Sequence, residues 1–260
     1  MKNIGFVRYL QSIVVGLFFV FSFCSNSEAF DFSDWGALVK KYVAPKTLAG
    51  VRFNAIDYAS LKKDPVFSDL ITRLESFSPT SLESRESTLS FWINVYNILA
   101  AKMITDHYPI KSIKDVGNFF KPVWKRVAGT VGGKERTLND IEHEILRKMN
   151  EPRTHMAIVC ASVSCPDLRR EAYIAGKLNE QLDDQMEKFL RSRGKGMKLD
   201  EQKNRVYLSA IFKWFAEDFA SRGGVLKYIG QYVTAEERKV LNNSKIKISY
   251  LDYNWEINGR

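Results

Sequence analysis

Cys160 and Cys165 stand five positions apart, with His155 the same distance before the first, and these three residues allow three chemistries. Joined, the cysteines are a structural disulfide, which suits an oxidising compartment; closing so short a loop contributes about 2 kcal/mol by the chain-entropy argument. Free, one of them is a nucleophile, which requires a thiolate, a nearby base and donors for an oxyanion. Cys165 fits that role better than Cys160, because Pro166 predicts a helix starting just after it, whose dipole favours the thiolate. His155 or His143 would be the base, oriented by Glu142 or an asparagine. The third chemistry, zinc held by His155, Cys160 and Cys165, lacks a recognised ligand spacing, so neither a metal nor another cofactor is expected.

The elements that would position these groups can be read from local pattern. Met156 to Cys160 is a short apolar run bounded by polar residues and reads as a central strand, with His155 at its entrance and Cys160 at its exit. Glu142 and His143 fall in a helix that follows the Gly132-Gly133 turn, opens on the capping pair Thr137 and Asp140, and runs to about Met149. With Leu138, Ile141, Ile145 and Met149 as its core face, a wheel at 100° per residue puts Glu142 at the edge of that face and His143 well away from it. Upstream, Ser87 and Thr88 offer capping chemistry for a helix that continues to His107, where Pro109 forbids extension. Its apolar side chains point in nearly every direction, so it is buried on most sides. The gap is a narrow seam of Asn94 and Asn97 beside Ala101. Buried amides are costly unless bonded, so these two brace a neighbouring backbone segment or line a polar cleft, and bracing is the leading reading.

The remainder reads as scaffold. Phe30 to Leu61 is irregular and partly helical, Pro65 to Phe77 a short amphipathic helix, and Asp167 to Glu171 the short helix after Cys165. Leu178 to Arg193 is an amphipathic helix and Arg205 to Leu208 a strand. Ala210 to Phe219 and Val225 to Val233 are helical, Thr234 opens a further helix with a capping box, and Ile246 to Trp255 is a final strand closing the sheet. The fold class is therefore α+β, mostly helical with a small central β-sheet.

The chain begins with the features of an export signal. Lys2 and Arg8 precede an apolar run from Ile13 to Phe23, and Ser27-Glu28-Ala29 supplies the small residues of a cleavage site. Residues 1–29 are read as a signal peptide and the protein as periplasmic or secreted. The run is shorter than a spanning helix needs, so no permanent membrane span is expected. The net charge of +9 suggests anionic partners, yet the basic residues are interspersed with acids. The densest cluster, Lys121, Lys125 and Arg126 among Phe119, Phe120 and Trp124, is an ordinary solvated basic face or, in an exported chain, a contact for an anionic lipid, glycan or cell-wall surface rather than nucleic acid.

Four separated motifs carry a family resemblance: Phe91-Trp92-Ile93-Asn94-Val95-Tyr96-Asn97; Leu138-Asn139-Asp140-Ile141-Glu142-His143; His155 through Cys160-Ala161-Ser162 to Ser164-Cys165-Pro166-Asp167-Leu168-Arg169; and Tyr250-Leu251-Asp252-Tyr253-Asn254-Trp255. In this order they resemble the domain of unknown function 547 family, over 87–258, with 30–86 as an N-terminal region packed on that domain. The resemblance implies a fold unit without a reaction, and it marks Asn94, Asn97, Ser162, Ser164 and Arg169 as binding candidates beside Cys165, Cys160, His155, His143 and Glu142. A papain-like or transglutaminase-like arrangement is an analogy of fold only, and the helix that should carry a papain-like nucleophile has no cysteine. Two functions follow. The first is an exported binding or envelope-associated domain that takes a small molecule, a peptide or an anionic envelope component, with Cys160 and Cys165 as a clasp. The alternative is a thiol-dependent hydrolase or transferase acting on an amide or peptide-like substrate through Cys165.

Overall fold

The computed structural model describes residues 29–118 and 120–260. The expected signal peptide, all but Ala29, and Phe119 of the basic cluster lie outside the described residues. The chain opens with helix α1 (Ser33–Tyr42), a hairpin of β1 (Val43–Leu48) and β2 (Val51–Ile56), a single helical turn α2 (Tyr58–Leu61) and helix α3 (Pro65–Ser76). The hairpin corrects the irregular reading of 30–61. Strand β1 carries Pro45 and is exposed from there to Leu48, so the two-residue periodicity that signals a strand is faint in it.

Helix α4 (Arg85–His107) is the axis of the molecule. It is capped one turn earlier than expected: the Ser84 side chain accepts from the Ser87 N–H, and Ser87 answers to the Ser84 N–H. From Leu89 to Ala101 it is buried on every side, in one core with Trp35, Leu38, Leu70 and Leu74 of the N-terminal region. The pair β3 (Val127–Val131) and β4 (Lys134–Thr137) turns at Gly132 and Gly133, both at positive φ, as a tight two-residue hairpin requires.

After β4 the expected capping pair is present, with Thr137 and Asp140 exchanging side-chain-to-backbone hydrogen bonds of 3.0 and 3.1 Å. The turn that follows, Asp140–Leu146, is wider than an α-helix: the Arg147 N–H reaches back five residues to the Glu142 carbonyl. Such π-type turns are rare and concentrate at functional sites.

Residues 156–160 do not form a strand. A single turn α5 (Thr154–Ala157) runs into extended backbone, and no helix follows Cys165. The chain continues through α6 (Leu178–Arg191), β5 (Met197–Asp200), β6 (Arg205–Leu208), α7 (Ile211–Trp214), a 3-10 stretch Ala216–Arg222, α8 (Val225–Ile229), α9 (Ala235–Leu241) and β7 (Lys247–Tyr250). Strand β6 pairs antiparallel with β5 and parallel with β7, giving a three-stranded sheet over a second apolar cluster around Met186, Phe189 and Phe212. The α+β class holds, with its strands distributed over two hairpins and this sheet. No helix among the described residues is long and apolar enough to cross a membrane.

From Leu251 onward the chain is extended and tied to distant segments. The Val163 and Ser164 N–H groups bond the Glu256 and Asn254 carbonyls, Ile257 bonds Lys111, and Asn258 bridges Ala161 and Ile56.

Candidate functional site

The two seam asparagines are braces. Asn94 both donates to the Tyr173 carbonyl at 2.7 Å and accepts from its N–H at 2.9 Å; Asn97 donates to the Ala157 carbonyl at 3.0 Å and accepts from the Val159 N–H at 2.8 Å. One turn apart on a rigid helix, each side chain imitates a β-ladder partner. Backbone from the last residue of α5 to Val159 is thereby satisfied without a sheet, which is why an apolar run with a strand's composition is not one.

That segment delivers Cys160 to a loop in which Cys160 and Cys165 are joined by a disulfide, with Cα atoms 6.2 Å apart. Ala161 between them has φ of 60°, a left-handed conformation uncommon for alanine. The Tyr253 hydroxyl lies over the bridge, 3.2 Å from Cys160 Sγ and 3.3 Å from Cys165 Sγ. Because no helix starts at Pro166, the dipole expected to favour a Cys165 thiolate is absent; Cys165 Sγ instead receives the Cys160 N–H at 2.9 Å.

The bridge forms one wall of a pocket of about 110 Å3. Aromatic rings from three parts of the chain supply most of the rest: Trp124, Trp214 with Phe215, and Tyr253 with Trp255. Trp214 stacks on Trp255 with ring centres 5.7 Å apart, and Tyr253 tilts against both. Trp214 is half exposed and so stands at the opening.

The polar wall holds Tyr96, Glu142 and His155. His155, whose side chain is 2% exposed, stacks face to face on Phe215 at 4.0 Å and places Nε2 2.7 Å from Asp218 Oδ2. The nitrogen facing a carboxylate carries the proton, so Nδ1 is the bare acceptor; it is buried, has no hydrogen-bond partner, and lies 4.0 Å from Glu142 Oε1. Glu142 is 15% exposed at its side chain and receives one long hydrogen bond, 3.4 Å from the Tyr96 hydroxyl. Burial pushes its carboxyl up to about 7, against smaller opposing effects of Tyr96 and Arg147. Burial likewise lowers His155, against the pull of Asp218, and it is neutral near pH 7. Asp218 is partly buried, which alone would raise it, but hydrogen bonds from His155 and Arg147 hold it far below the usual carboxylate range.

His143 is not at the pocket. In the wide turn it comes 2.9 Å from an Arg147 guanidinium nitrogen, and burial, then Arg147 and His155, lower its pKa. Ser162 is buried and does not line the pocket, its hydroxyl 3.3 Å from both the Tyr253 hydroxyl and Cys160 Sγ. Ser164 accepts from the Asn254 N–H at 2.9 Å and so holds the final segment in place. Arg169 lies elsewhere, bonded to Glu171 and Asp184 in a broad groove beside α6. The pocket thus gathers Cys160, Cys165, His155 and Glu142; Asn94, Asn97 and Ser164 act through backbone. Neither spacing nor motif marks Asp218, Tyr96, Tyr253 or the tryptophans as chemical groups. For Tyr253 and Trp255 the aromatic density of the 250–255 motif was the available signal; for Asp218 there was none. No group of three or more His, Cys, Asp or Glu side chains among the described residues could hold a metal ion.

Residues 79–190 match the model of a family described as "Protein of unknown function, DUF547". That span contains α4, the wide turn, the cysteine loop and most of α6. No curated protein and no solved structure matches the chain.

Proposed function

For a chain that is a member of the DUF547 family over residues 79–190, we propose an exported domain that binds a small molecule in the aromatic pocket, with the Cys160–Cys165 bridge as a clasp shaping one wall. The observation that carries this reading is the pocket's composition. A mostly aromatic enclosure with a few convergent polar groups, one of them a carboxyl displaced toward neutrality, is the usual make-up of a ligand site. An aromatic core alone would not leave His155 Nδ1 without a partner. Export is part of the proposal, resting on the Lys2 to Ala29 pattern and the bridge, and is tested by sequencing the N-terminus of the secreted form, which should begin at Phe30. The binding reading is tested by screening small molecules against the protein and a Trp214→Ala variant. Hits should quench tryptophan fluorescence in the parent and weaken in the variant; hits indifferent to Trp214 would refute the pocket.

One observation favours a second reading, a thiol-dependent hydrolase or transferase. His155 is held by Asp218 in one tautomer with an unpartnered Nδ1, and it lines the pocket that contains both sulfurs, which is the arrangement of a general base. A dithiol that opened the bridge, being itself oxidised to its disulfide, would release the two thiols beside it. In that case iodoacetamide should label one cysteine selectively near neutral pH after mild reduction, and labelling should be lost in His155→Ala. A bridge that resists mild reduction sinks this reading.

A further inference from the structure

Once Glu142 is ionised, the polar wall of the pocket presents acceptors, and its hydroxyl donor, Tyr96, is directed at Glu142. His155 spends its one N–H on Asp218 and turns a buried, unpartnered lone pair at Nδ1 toward Glu142. Glu142 adds a carboxyl whose nearest donor is the Tyr96 hydroxyl at 3.4 Å. The Tyr253 hydroxyl is directed to the bridge sulfurs. The cation closest in sequence, Arg147, is already committed: Nε and one terminal nitrogen bond Asp218 at 2.7 Å each, and the other meets His143 at 2.9 Å. The same pocket is lined by Trp124, Trp214, Phe215, Tyr253 and Trp255, and the quadrupoles of aromatic rings attract cations. Lys114 demonstrates that attraction here, with Nζ 3.7 Å from the centre of the Trp255 ring.

Two acceptors 4.0 Å apart, facing aromatic walls and without a counter-ion, describe the complement of one chemical group. We propose that the pocket selects a small molecule carrying a protonated primary or secondary amine, whose N–H groups donate to Glu142 and to His155 Nδ1 while its carbon skeleton lies against Trp214, Phe215 and Tyr253. This rests on the ligand-binding reading and gives it a ligand class. The volume of about 110 Å3 admits an ammonium group with a short chain or one ring, so a folded peptide could enter only by a side chain or terminus. A carboxylate ligand would face Glu142, and none of the residues lining the pocket is a lysine or arginine that could receive it. A quaternary ammonium would satisfy the rings but offer nothing to Nδ1.

The proposal has a proton signature. The groups facing the Glu142 carboxyl are Tyr96 from α4, Tyr253 from the final segment and His155 from α5, with Arg147 and Asp218 behind. Burial raises both tyrosines, which stay neutral, and lowers His155, which stays an acceptor near neutral pH. Glu142 is therefore the group that must change state. An ammonium ligand stabilises its ionised form, so affinity should rise with pH through about 7, and binding at pH 6 should expel a proton.

Titration of the purified protein with four matched probes at pH 8, by calorimetry and tryptophan fluorescence, tests this. Benzylamine should bind about tenfold more tightly than benzyl alcohol and more tightly than benzyltrimethylammonium, and benzoate should not bind. Benzylamine at pH 6 should release a proton, seen as a buffer-dependent heat. In a Glu142→Gln variant, amine and alcohol should bind within about twofold of each other. Equal or better binding of the alcohol, of benzoate or of the quaternary ion by the parent protein overturns the ammonium assignment and leaves the pocket standing. Binding of none of the four overturns the pocket reading and this assignment with it.

Discussion

Asp218 Oδ2 lies 2.7 Å from His155 Nε2, and the same carboxylate receives both Nε and a terminal nitrogen of Arg147 at 2.7 Å. One acid from the 3-10 stretch thus fastens α5 and the wide 140–146 turn together from behind the pocket. Charge-assisted bonds of this kind are roughly twice as strong as neutral ones, and the paired geometry of Arg147 adds direction. The consequence for the site is that the ring of His155 cannot rotate to give its lone pair to anything else.

Replacing Asp218 by Asn should cost about 2 kcal/mol at pH 7, the scale of hydrogen bonds to charged groups. The folded-state pKa of Asp218 is depressed, so its contribution is present above the ordinary carboxylate range and is lost as pH falls through the lower folded value. The gap between parent and Asp218→Asn in urea unfolding should accordingly close toward pH 2. A gap independent of pH would mean that the carboxylate charge is irrelevant.

Glu142 carries the opposite sign. Its folded pKa of about 7 lies above the unfolded value of 4.5, so the folded state holds the extra proton between those pH values and loses stability as pH rises through that window. Glu142→Gln should therefore stabilise the unliganded protein by about 3 kcal/mol at pH 8, given 1.36 kcal/mol per unit. The difference should vanish near pH 4. Thermal melts at the two pH values decide it; a destabilised Glu142→Gln at pH 8 would contradict the burial argument.

Removing the Asn97 amide leaves the Val159 N–H and the Ala157 carbonyl buried and unpaired. Asn97→Ala should cost about 3 kcal/mol, at 1–3 kcal/mol for each unsatisfied group. The loss should be read by urea unfolding and accompanied by a weaker pocket, since Ile158 and Cys160 sit on the same segment. A cost under about 1 kcal/mol would mean that water replaces the amide.

Much of the helical scaffold was legible because its signals are local. The Pro65 start of α3, the stop of α4 before Pro109, the Gly132-Gly133 turn and the Thr234–Glu237 capping box each lie within a few residues of the structure they set. The two asparagines were legible as braces because a buried amide has few options. Their targets, Ala157 and Tyr173, were not, because nothing local couples positions separated by 60 and 79 residues. The expected 156–160 strand failed for that reason. The expected core face shifted through a different cause: a wheel at 100° per residue does not describe a turn that closes over five residues, so Leu146 rather than Ile145 is buried, and His143 turns toward Arg147. The pocket itself joins residues from six places in the chain, which no period encodes.

Opening the disulfide should be tolerated by the fold. The loop it closes is short, so reduction, or a Cys160→Ser, Cys165→Ser double variant, should lower stability by only about 2 kcal/mol. The pocket should respond more than the fold, because both sulfurs contact the Tyr253 hydroxyl. Near-ultraviolet circular dichroism should change on reduction while the far-ultraviolet signal holds; a collapse of both would assign the bridge a larger share of the stability.

The extended segment after Leu251 gives the pocket an unusual dependence on sequence distance. Tyr253 and Trp255 reach it from a strip fastened to the 161–164 loop and to Lys111, far from the helix that carries Tyr96. Contacts of such long span close late, since the entropy of the intervening chain must be spent first. Helices and hairpins can assemble around α4 while the cavity is still missing two of its rings. A fragment that stops short of residue 253 could therefore look folded by every measure of secondary structure and have nowhere for a ligand to sit.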